Sequence, residues 1–535
     1  ELDEPSVRAA AEQCRRLGVE AVAICLIHAY ANPMHEQRVA EILREELPGF
    51  AVTASTDVLP VVREYERSLA TVLNAAVMPG VATYVTRLQE RLQTESVAAP
   101  LLLMQSNGGV AGVPAIRRAP VLTALSGPAA GVVGARAVAA ACGIENLITV
   151  DIGGTSADIC LIRNGQIGLT QQGHVGDWPL PLPMVDMVTI GAGGGSIAKV
   201  AAGTLSVGPQ SAGAVPGPVA YSRGGTQPTV TDAHVVLGHL PEELLGGRMA
   251  LDRAAAAAAV RRGVADPLGL SLEEAARGIL AIVDNNMVGA LRVVSVERGH
   301  DPRDFTLVPF GGAGPLHGCA LAGLLGISRV MLPLAPGVLC ADGLLAADLK
   351  AEFSRTLPAA GAVDIQVAEA MFAALEQQAA DWFAAEDVPP GARLLSHVAL
   401  MRYHGQGGEI AVPWTAEPGG IEAAFAAAHE ALYGFTLGAA IELVTLRVEA
   451  TGMMDRPPLA QLPPGHGARP VHMRQVHLSG GPADVPVYNR DTFGAGDSFA
   501  GPAIVTQLDA TTVVPPGWRG TVHPSGAILL TAVNE

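Results

Sequence analysis

The sequence predicts an α/β protein of several units. Three observations carry that prediction. Segments with the helical period alternate with short apolar, β-branched runs through the first two thirds of the chain. Several of those runs end in glycine clusters. Hydrophobic residues make up 49% of the sequence and charged residues only 16%, a balance that buries large cores and excludes a disordered chain. At 535 residues the chain is too long for one ordinary domain. Aromatic residues are only 4%, so small side chains dominate, which suits close helix–sheet packing and ligand sites lined by backbone.

The elements follow in order. Asp3, Glu4 and Ser6 resemble a helix start, and residues 7–17 read as an amphipathic helix. Residues 19–27 (VEAVAICLI) read as a buried strand. A helix feeding a parallel strand normally follows an earlier strand, so the chain is expected to begin within a domain. Residues 35–47 are helical and 51–54 form a short strand. Residues 65–95 read as a long helical stretch, interrupted near Pro79-Gly80. Residues 101–105 (LLLMQ) form a strand that ends in Ser106-Asn107-Gly108-Gly109. Residues 131–141 form a helix. Residues 147–151 and 159–163 flank a glycine turn and read as a strand pair. Residues 251–265 and 272–298 are helical, and 305–310 and 330–334 are strands. From about Pro358 the character changes. An amphipathic helix, 365–385, precedes strands at 395–403 and 442–452. A Pro/Gly-rich run, 456–469, reads as a surface crossing. Residues 503–530 read as short strands between turns. The expected division is therefore 1–75, 76–357 and 358–535, the last a mixed, β-rich domain.

Charge narrows the function. The net charge is −17, which argues against nucleic-acid or anionic-membrane partners, since both need clustered positive charge. The pairs Arg15-Arg16, Arg117-Arg118 and Arg261-Arg262 read as solvated helix ends. The six cysteines lack CxxC spacing and read as free thiols of a reducing, cytoplasmic protein. Apolar stretches such as 316–341 are broken by polar residues and prolines, so no membrane span is predicted.

The sharpest chemical feature is Asp151-Ile152-Gly153-Gly154-Thr155-Ser156. A β-branched run delivers an aspartate at a strand end. Two glycines then let backbone approach a ligand, with N–H groups aimed at phosphate oxygens. Thr155 and Ser156 add hydroxyl donors. Asp151 stands where it could hold Mg²⁺, directly or through water. No Lys-Ser/Thr follows, so this is not a Walker loop. A plain glycine-turned hairpin is the competing reading. Further clusters, Gly191-Ala192-Gly193-Gly194-Gly195-Ser196 and Gly311-Gly312-Ala313-Gly314, also follow apolar runs. The sequence Ser126-Gly127-Pro128 opens a helix, whose N-terminus favours anions. Together they suggest a nucleotide site lined by backbone.

A wider set of motifs is specific. In order and spacing, REYERSLATVLNAAVMPG, LLLMQSNGG, DIGGTSADI, VDMVTIGAGGGSIA, GPQSAGAVPGP, GGTQPTVTDA, SVERGHDPRDF, VPFGGAGPLHG, PGVLCADGLLAAD, RYHGQGGEI and GPAIVTQLDATTVVPPGW resemble the hydantoinase A/oxoprolinase family. The resemblance covers essentially the whole chain. It implies a two-lobed nucleotide fold like that of actin, sugar kinases and heat-shock chaperones, with a mixed α+β C-terminal domain. It implies ATP, with Mg²⁺ or Mn²⁺, used to phosphorylate the carbonyl of a cyclic amide such as a hydantoin, 5-oxoproline or another lactam before hydrolysis. An ATP-binding subunit of an acetone or acetophenone carboxylase is the alternative within the family. The implied partner is a hydantoinase B-type subunit in a hetero-oligomer. Asp151, Gly153, Gly154 and Thr155 match the family's second phosphate loop, and Gly311, Gly312 and Gly314 look like the adenosine-side motif. Gly193, Gly194 and Ser156 complete the expected cofactor set. The family's first Asp-x-Gly-Gly-Thr loop has no counterpart before Asp151, so the first lobe is expected to be incomplete. A non-catalytic assembly or regulatory subunit is the reading that follows if that loss is real.

Asp151, Asp186 and Asp232 are the candidate catalytic carboxylates, Asp232 serving equally as a helix cap. His174 and Asp177 could line the substrate side near Asp186. His317 reads as a satisfied structural histidine rather than a metal ligand. Arg292, Glu297 and Arg298 read as an ion-pair network on a helix ending at Gly299. Arg402, His404 and Gln406 form a polar cluster that could face a substrate or partner.

Overall fold

The first helix, Glu4–Leu17, starts where Asp3 accepts the Ser6 amide and hydroxyl, and stops where Gly18 turns left-handed. These details come from a computed structural model that describes all residues except 172, 177, 362, 418, 459, 460, 479, 534 and 535. Contacts group the chain into two units, each assembled from separated stretches. One holds Glu1–Ala129, Leu169–Met184 and Ala347–Asp455; the other holds Ala130–Gly168, Val185–Ala346 and Arg456–Glu535.

In the first unit the parallel strands Ala21–Ile24 and Ala51–Ala54 pack with the helices Glu4–Leu17 and Met34–Glu46 around Ala11, Val39, Leu43 and Leu47. A six-stranded sheet runs Ile410–Pro413, Arg393–Tyr403, Ile441–Gly452, Leu349–Gly361, Val110–Gly112, Leu102–Met104. The helix Ile365–Ala385 buries Phe372, Leu375, Ala379 and Phe383. The interruption expected near Pro79 does not occur: Glu64–Thr94 is one helix with Pro79 inside it. Proline removes one backbone bond, yet the turns on either side are anchored. Asn74 donates to Thr53 Oγ1 and the Arg118 carbonyl, and Arg117 donates to Thr86 and Gln89. These anchors hold the helix across the missing bond.

The second unit is built on a nine-stranded sheet. Its main path runs Met187–Ile190, Ala157–Arg163, Leu147–Ile152, Thr306–Phe310, Arg329–Leu332, Ile528–Ala532, Trp518–Val522, Ser498–Ala500. Leu147–Ile152, Thr306–Phe310 and Arg329–Leu332 are parallel, while the outer pairings are antiparallel. The central strands are continuous apolar runs because both faces are covered. Ile148, Val150, Leu307 and Val330 sit in one core with Ile279, Val283 and Met287 of the Leu272–Val294 helix. That helix starts on a capping box between Ser271 and Glu274.

The stretch expected as one terminal domain, 358–535, is divided between the units at Asp455 and Arg456. Its last strands join the sheet of the glycine turn, since Ile528–Ala532 pairs with Arg329–Leu332. Pairing across so many intervening residues leaves no local mark in the sequence. Within residues 251–265 the observed helix is Arg253–Val260 followed by a π turn, Arg261–Ala265. The three arginine pairs do lie at or near helix ends. Two helices, Glu64–Thr94 and Leu272–Arg298, are long and apolar enough to cross a membrane by length and composition. The buried faces of the two carry Arg67 and Asn74, and Asp284, respectively.

Candidate nucleotide site

The carboxyl ends of adjacent parallel strands are where α/β sheets bind ligands. Asp151 and Phe310 are register partners at such an end. The chain leaves Asp151, turns with the Gly153 amide bonded to the Ser156 carbonyl, and returns antiparallel so that Asp158 lies opposite Asp151. Gly154 and Thr155 are exposed at the tip. The expected strand pair and glycine turn are both present.

Two further loops grip this turn through backbone. The Gly194 and Gly195 amides donate to the Gly153 and Gly154 carbonyls at 3.0 and 2.7 Å. A Cβ on Gly193 would stand 2.7 Å from the Gly153 oxygen, so only glycine fits there. Ser196 Oγ accepts the Gly193 amide. From the other side, the Ala313 amide donates to the Ile152 carbonyl at 3.0 Å. Gly311 has φ +77°, and a Cβ on it would lie 2.3 Å from Asp151 Oδ1. Glycines 154 and 312 face open space instead. The glycines thus divide into those that allow loop-on-loop contact and those that leave room for a ligand.

The electrostatics centre on Asp151. Burial pushes its carboxyl up to about 6, opposed by the Cys340 thiol and reinforced by the charge of Asp158. Cys340 Sγ stands 3.5 Å from Asp151 Oδ2. Burial, then Asp151 itself, push that thiol up to about 12, so it stays protonated and donates. Asp158 is also raised by burial and accepts from Thr189 Oγ1. Cys340 is delivered by the helix Leu339–Ala346, which packs on Ser126–Ala141 through glycines: Gly134 lies against the Leu339 carbonyl and Gly343 against that of Ala130. Cys340 and Asp158 both lie inside quoted motifs, but nothing in their spacing singles them out. The signal for Asp158 is the hairpin register itself, which sets it opposite Asp151.

The other candidates lie elsewhere. Asp232 is buried, and its carboxylate accepts from the Val219, Ala220 and Thr229 amides and the Thr229 hydroxyl, which makes it the capping-box residue of the Val230–Val236 helix. Asp186 is held by Arg298 through two guanidinium bonds. His174 lies on the Gly173–Val175 strand, and Asp177 falls outside the described residues. Of Arg292, Glu297 and Arg298, it is Arg298 that makes this ion pair. Arg402 and His404 both pair with Glu442, and Gln406 reaches His429. All six cysteines are free, with Cys160 and Cys319 buried.

Among the described residues no three His, Cys, Asp or Glu side chains converge to hold a metal. Asp151 and Asp158 offer two carboxylates beside an open glycine turn. That donor set fits Mg²⁺, which takes one or two carboxylates and completes its shell with water and phosphate oxygens.

Residues 67–353 match the hydantoinase/oxoprolinase family, and residues 1–47 match the hydantoinase/oxoprolinase N-terminal region. The chain is 36% identical to the caprolactamase subunit alpha of Pseudomonas jessenii, over 99% of its own length and 79% of the relative's. The crystal structure of that ATP-dependent caprolactamase superposes with a TM-score of 0.90, covering 100% of this chain and 80% of the other. A 5-oxoprolinase of Pestalotiopsis fici is 31% identical over 99% of this chain and 42% of its own length. The acetophenone carboxylase gamma subunit of Aromatoleum aromaticum is 40% identical over 64% of this chain and 47% of its own. The chain belongs to the hydantoinase/oxoprolinase family.

Proposed function

We propose that this chain is the ATP-handling component of an enzyme that phosphorylates the carbonyl oxygen of a cyclic amide and so opens its ring. The observation that carries the reading is the turn from Asp151 to Ser156, with two facing carboxylates and open space at Gly154 and Gly312. Likeness to an ATP-dependent caprolactamase and a 5-oxoprolinase supports it. We read the sheet and turn as one lobe of a fold of the actin, sugar-kinase and chaperone kind.

The chemistry has a definite need. Amide resonance makes a lactam carbonyl a poor electrophile. Its oxygen attacks the γ-phosphorus of ATP and ADP departs. Water then adds to the carbon and the C–N bond breaks, leaving an acyl phosphate; a second water attacks the same carbon, and phosphate leaves with the former carbonyl oxygen. Positioning and charge stabilisation are what the protein supplies. The amides and hydroxyls of Gly153 to Ser156 would orient phosphate oxygens. Asp151, ionised above about pH 6, would hold Mg²⁺ with Asp158, and the metal would offset phosphate charge. Cys340, as a donor, keeps the Asp151 carboxylate in one orientation. Relatives named as subunits point to a partner, which we take to be of the hydantoinase B type.

The test is ADP formation from Mg-ATP with five- to seven-membered lactams and hydantoins, with and without the B-type subunit. Stoichiometric ADP and ring-opened product support the reading; no lactam-stimulated ADP with the partner present rejects it. Identity to the acetophenone carboxylase subunit favours one further reading, ATP-driven ketone carboxylation. Bicarbonate and a ketone replace the lactam in that assay, and ADP without a carboxylated product eliminates it.

A further inference from the structure

Four side chains form an unbroken buried line in the second unit. Asp284 Oδ1 lies 2.6 Å from His317 Nδ1, His317 Nε2 lies 3.3 Å from His234 Nε2, His234 Nδ1 lies 2.9 Å from His239 Nδ1, and His239 Nε2 lies 3.1 Å from the His477 carbonyl oxygen. All four side chains are buried. The line joins three helices and a strand: Leu272–Val294, Gly314–Leu325, Val230–Val236 and His472–Leu478.

Proton counting gives the line an unusual property. A carbonyl oxygen only accepts, so His239 Nε2 must carry a proton. Each nitrogen–nitrogen contact needs one proton. The Asp284 contact needs one as well. Four contacts therefore need four protons, whereas three neutral imidazoles supply three. Reversing the direction of donation does not help, because both ends of the line are acceptors when Asp284 is ionised. The fourth proton must be an extra one, shared by Asp284 and His317. Burial, followed by the neighbouring imidazoles, holds His234 well below its usual range, and burial brings His239 down to about 4. Those two rings refuse the charge, which leaves it at the Asp284 end.

The line also reaches the candidate nucleotide site along two arms. On the helix of His234, the Thr231 amide and hydroxyl both donate to the Gly194 carbonyl, and the Gly194 amide donates to the Gly153 carbonyl. The helix of His317 begins at Gly314, one residue after Ala313, whose amide holds the Ile152 carbonyl. Both arms end on the turn that carries Asp151. Other ionisable groups near the line are engaged elsewhere: Asp232 caps its helix, and Arg253 donates to the Val236 carbonyl. His477 contributes its carbonyl to the line, and Arg474 lies on the same strand near Glu242 and Arg253.

We propose that Asp284, His317, His234 and His239 form a one-proton clamp that positions the two glycine loops on the Asp151 turn, and that losing the proton loosens them. The clamp stands on the four contacts and their proton count; its effect on nucleotide binding rests on the function proposed above. The direction follows from linkage. The closed state needs the fourth proton for its contacts, and an open state with neutral imidazoles binds one proton fewer. Closure therefore weakens about tenfold per pH unit as pH rises. Asparagine at 284 would donate its own N–H to His317 Nδ1, satisfy all four contacts with neutral rings, and abolish that slope.

Cys319, two residues from His317 on the same helix and buried, reports local opening of the full chain. Buried Cys160, on the strand Ala157–Arg163, is the control. The experiment labels both thiols with a maleimide at pH 7, 8 and 9, reads each site by mass spectrometry, and compares wild type with Asp284→Asn. The clamp predicts that the wild-type to variant ratio of Cys319 labelling rates rises about tenfold per pH unit, while the Cys160 ratio stays flat. A Cys319 ratio independent of pH overturns the clamp. Should the variant not fold, the wild-type Cys319 to Cys160 ratio must show the same rise, and a flat ratio overturns it. Equilibrium binding of Mg-ATP to the same proteins tests the positioning role: affinity falls with pH in wild type and not in Asp284→Asn. Parallel binding curves, or no binding, overturn positioning while leaving the proton count to the thiol result.

Discussion

At Asp151, burial opposes the charge that its proposed role requires. Its raised carboxyl means that protonation favours the folded state. That contribution is fully present below the unfolded value near 3.9 and is lost as pH rises through about 6. At pH 7 the buried charge costs the metal-free chain on the order of 1–3 kcal/mol. Asp151→Asn should therefore stabilise that chain by about 1–2 kcal/mol at pH 7, with no gain below pH 4, as thermal unfolding across pH would measure. The same change should lower lactam-dependent ATP turnover by at least about 100-fold. Gly311→Ala should act oppositely on stability, since φ is +77° and the new Cβ meets Asp151 Oδ1 at 2.3 Å. A loss of about 2–3 kcal/mol in denaturant unfolding is expected. Asp151 and its glycines were legible in the sequence, because strand-end aspartate and paired glycines are adjacent letters. Cys340 was not, because it reaches Asp151 only through helix packing across 189 positions.

At the scale of elements, local signals placed most helices and strands. Asp3 opens the first helix, and Ser271 opens Leu272–Val294. The exception is Glu64–Thr94, where proline and glycine predict a break that does not occur. Anchoring by Asn74 and Arg117 overrides that local preference. Gly80 is exposed in this helix with nothing near a built Cβ. Gly80→Ala should raise the stability of the chain by about 0.5–1 kcal/mol, measured by denaturant unfolding, with ATP turnover unchanged. A decrease would show that the helix bends there to accommodate something that alanine obstructs.

At the scale of the whole molecule, sequence order proved a poor guide to grouping. The three expected stretches follow the chain, whereas the two units interleave it. Of the strands after Gln507 in the sheet of Asp151, Ile528–Ala532 pairs with Arg329–Leu332, far back in sequence, and such pairing depends on tertiary contact rather than local pattern. The motifs nonetheless identified the family, and those around Gly153, Gly193 and Gly311 mark places where backbone approaches backbone. In the proposed mechanism the chain directs phosphate onto a lactam oxygen. The most direct test uses a lactam carrying ¹⁸O at its carbonyl, Mg-ATP, the chain and its B-type partner, with mass analysis of the phosphate released. Phosphorylation of the lactam oxygen predicts one labelled oxygen in phosphate for each ring opened. Ring opening that leaves the label wholly in the amino acid, with unlabelled phosphate, would contradict it.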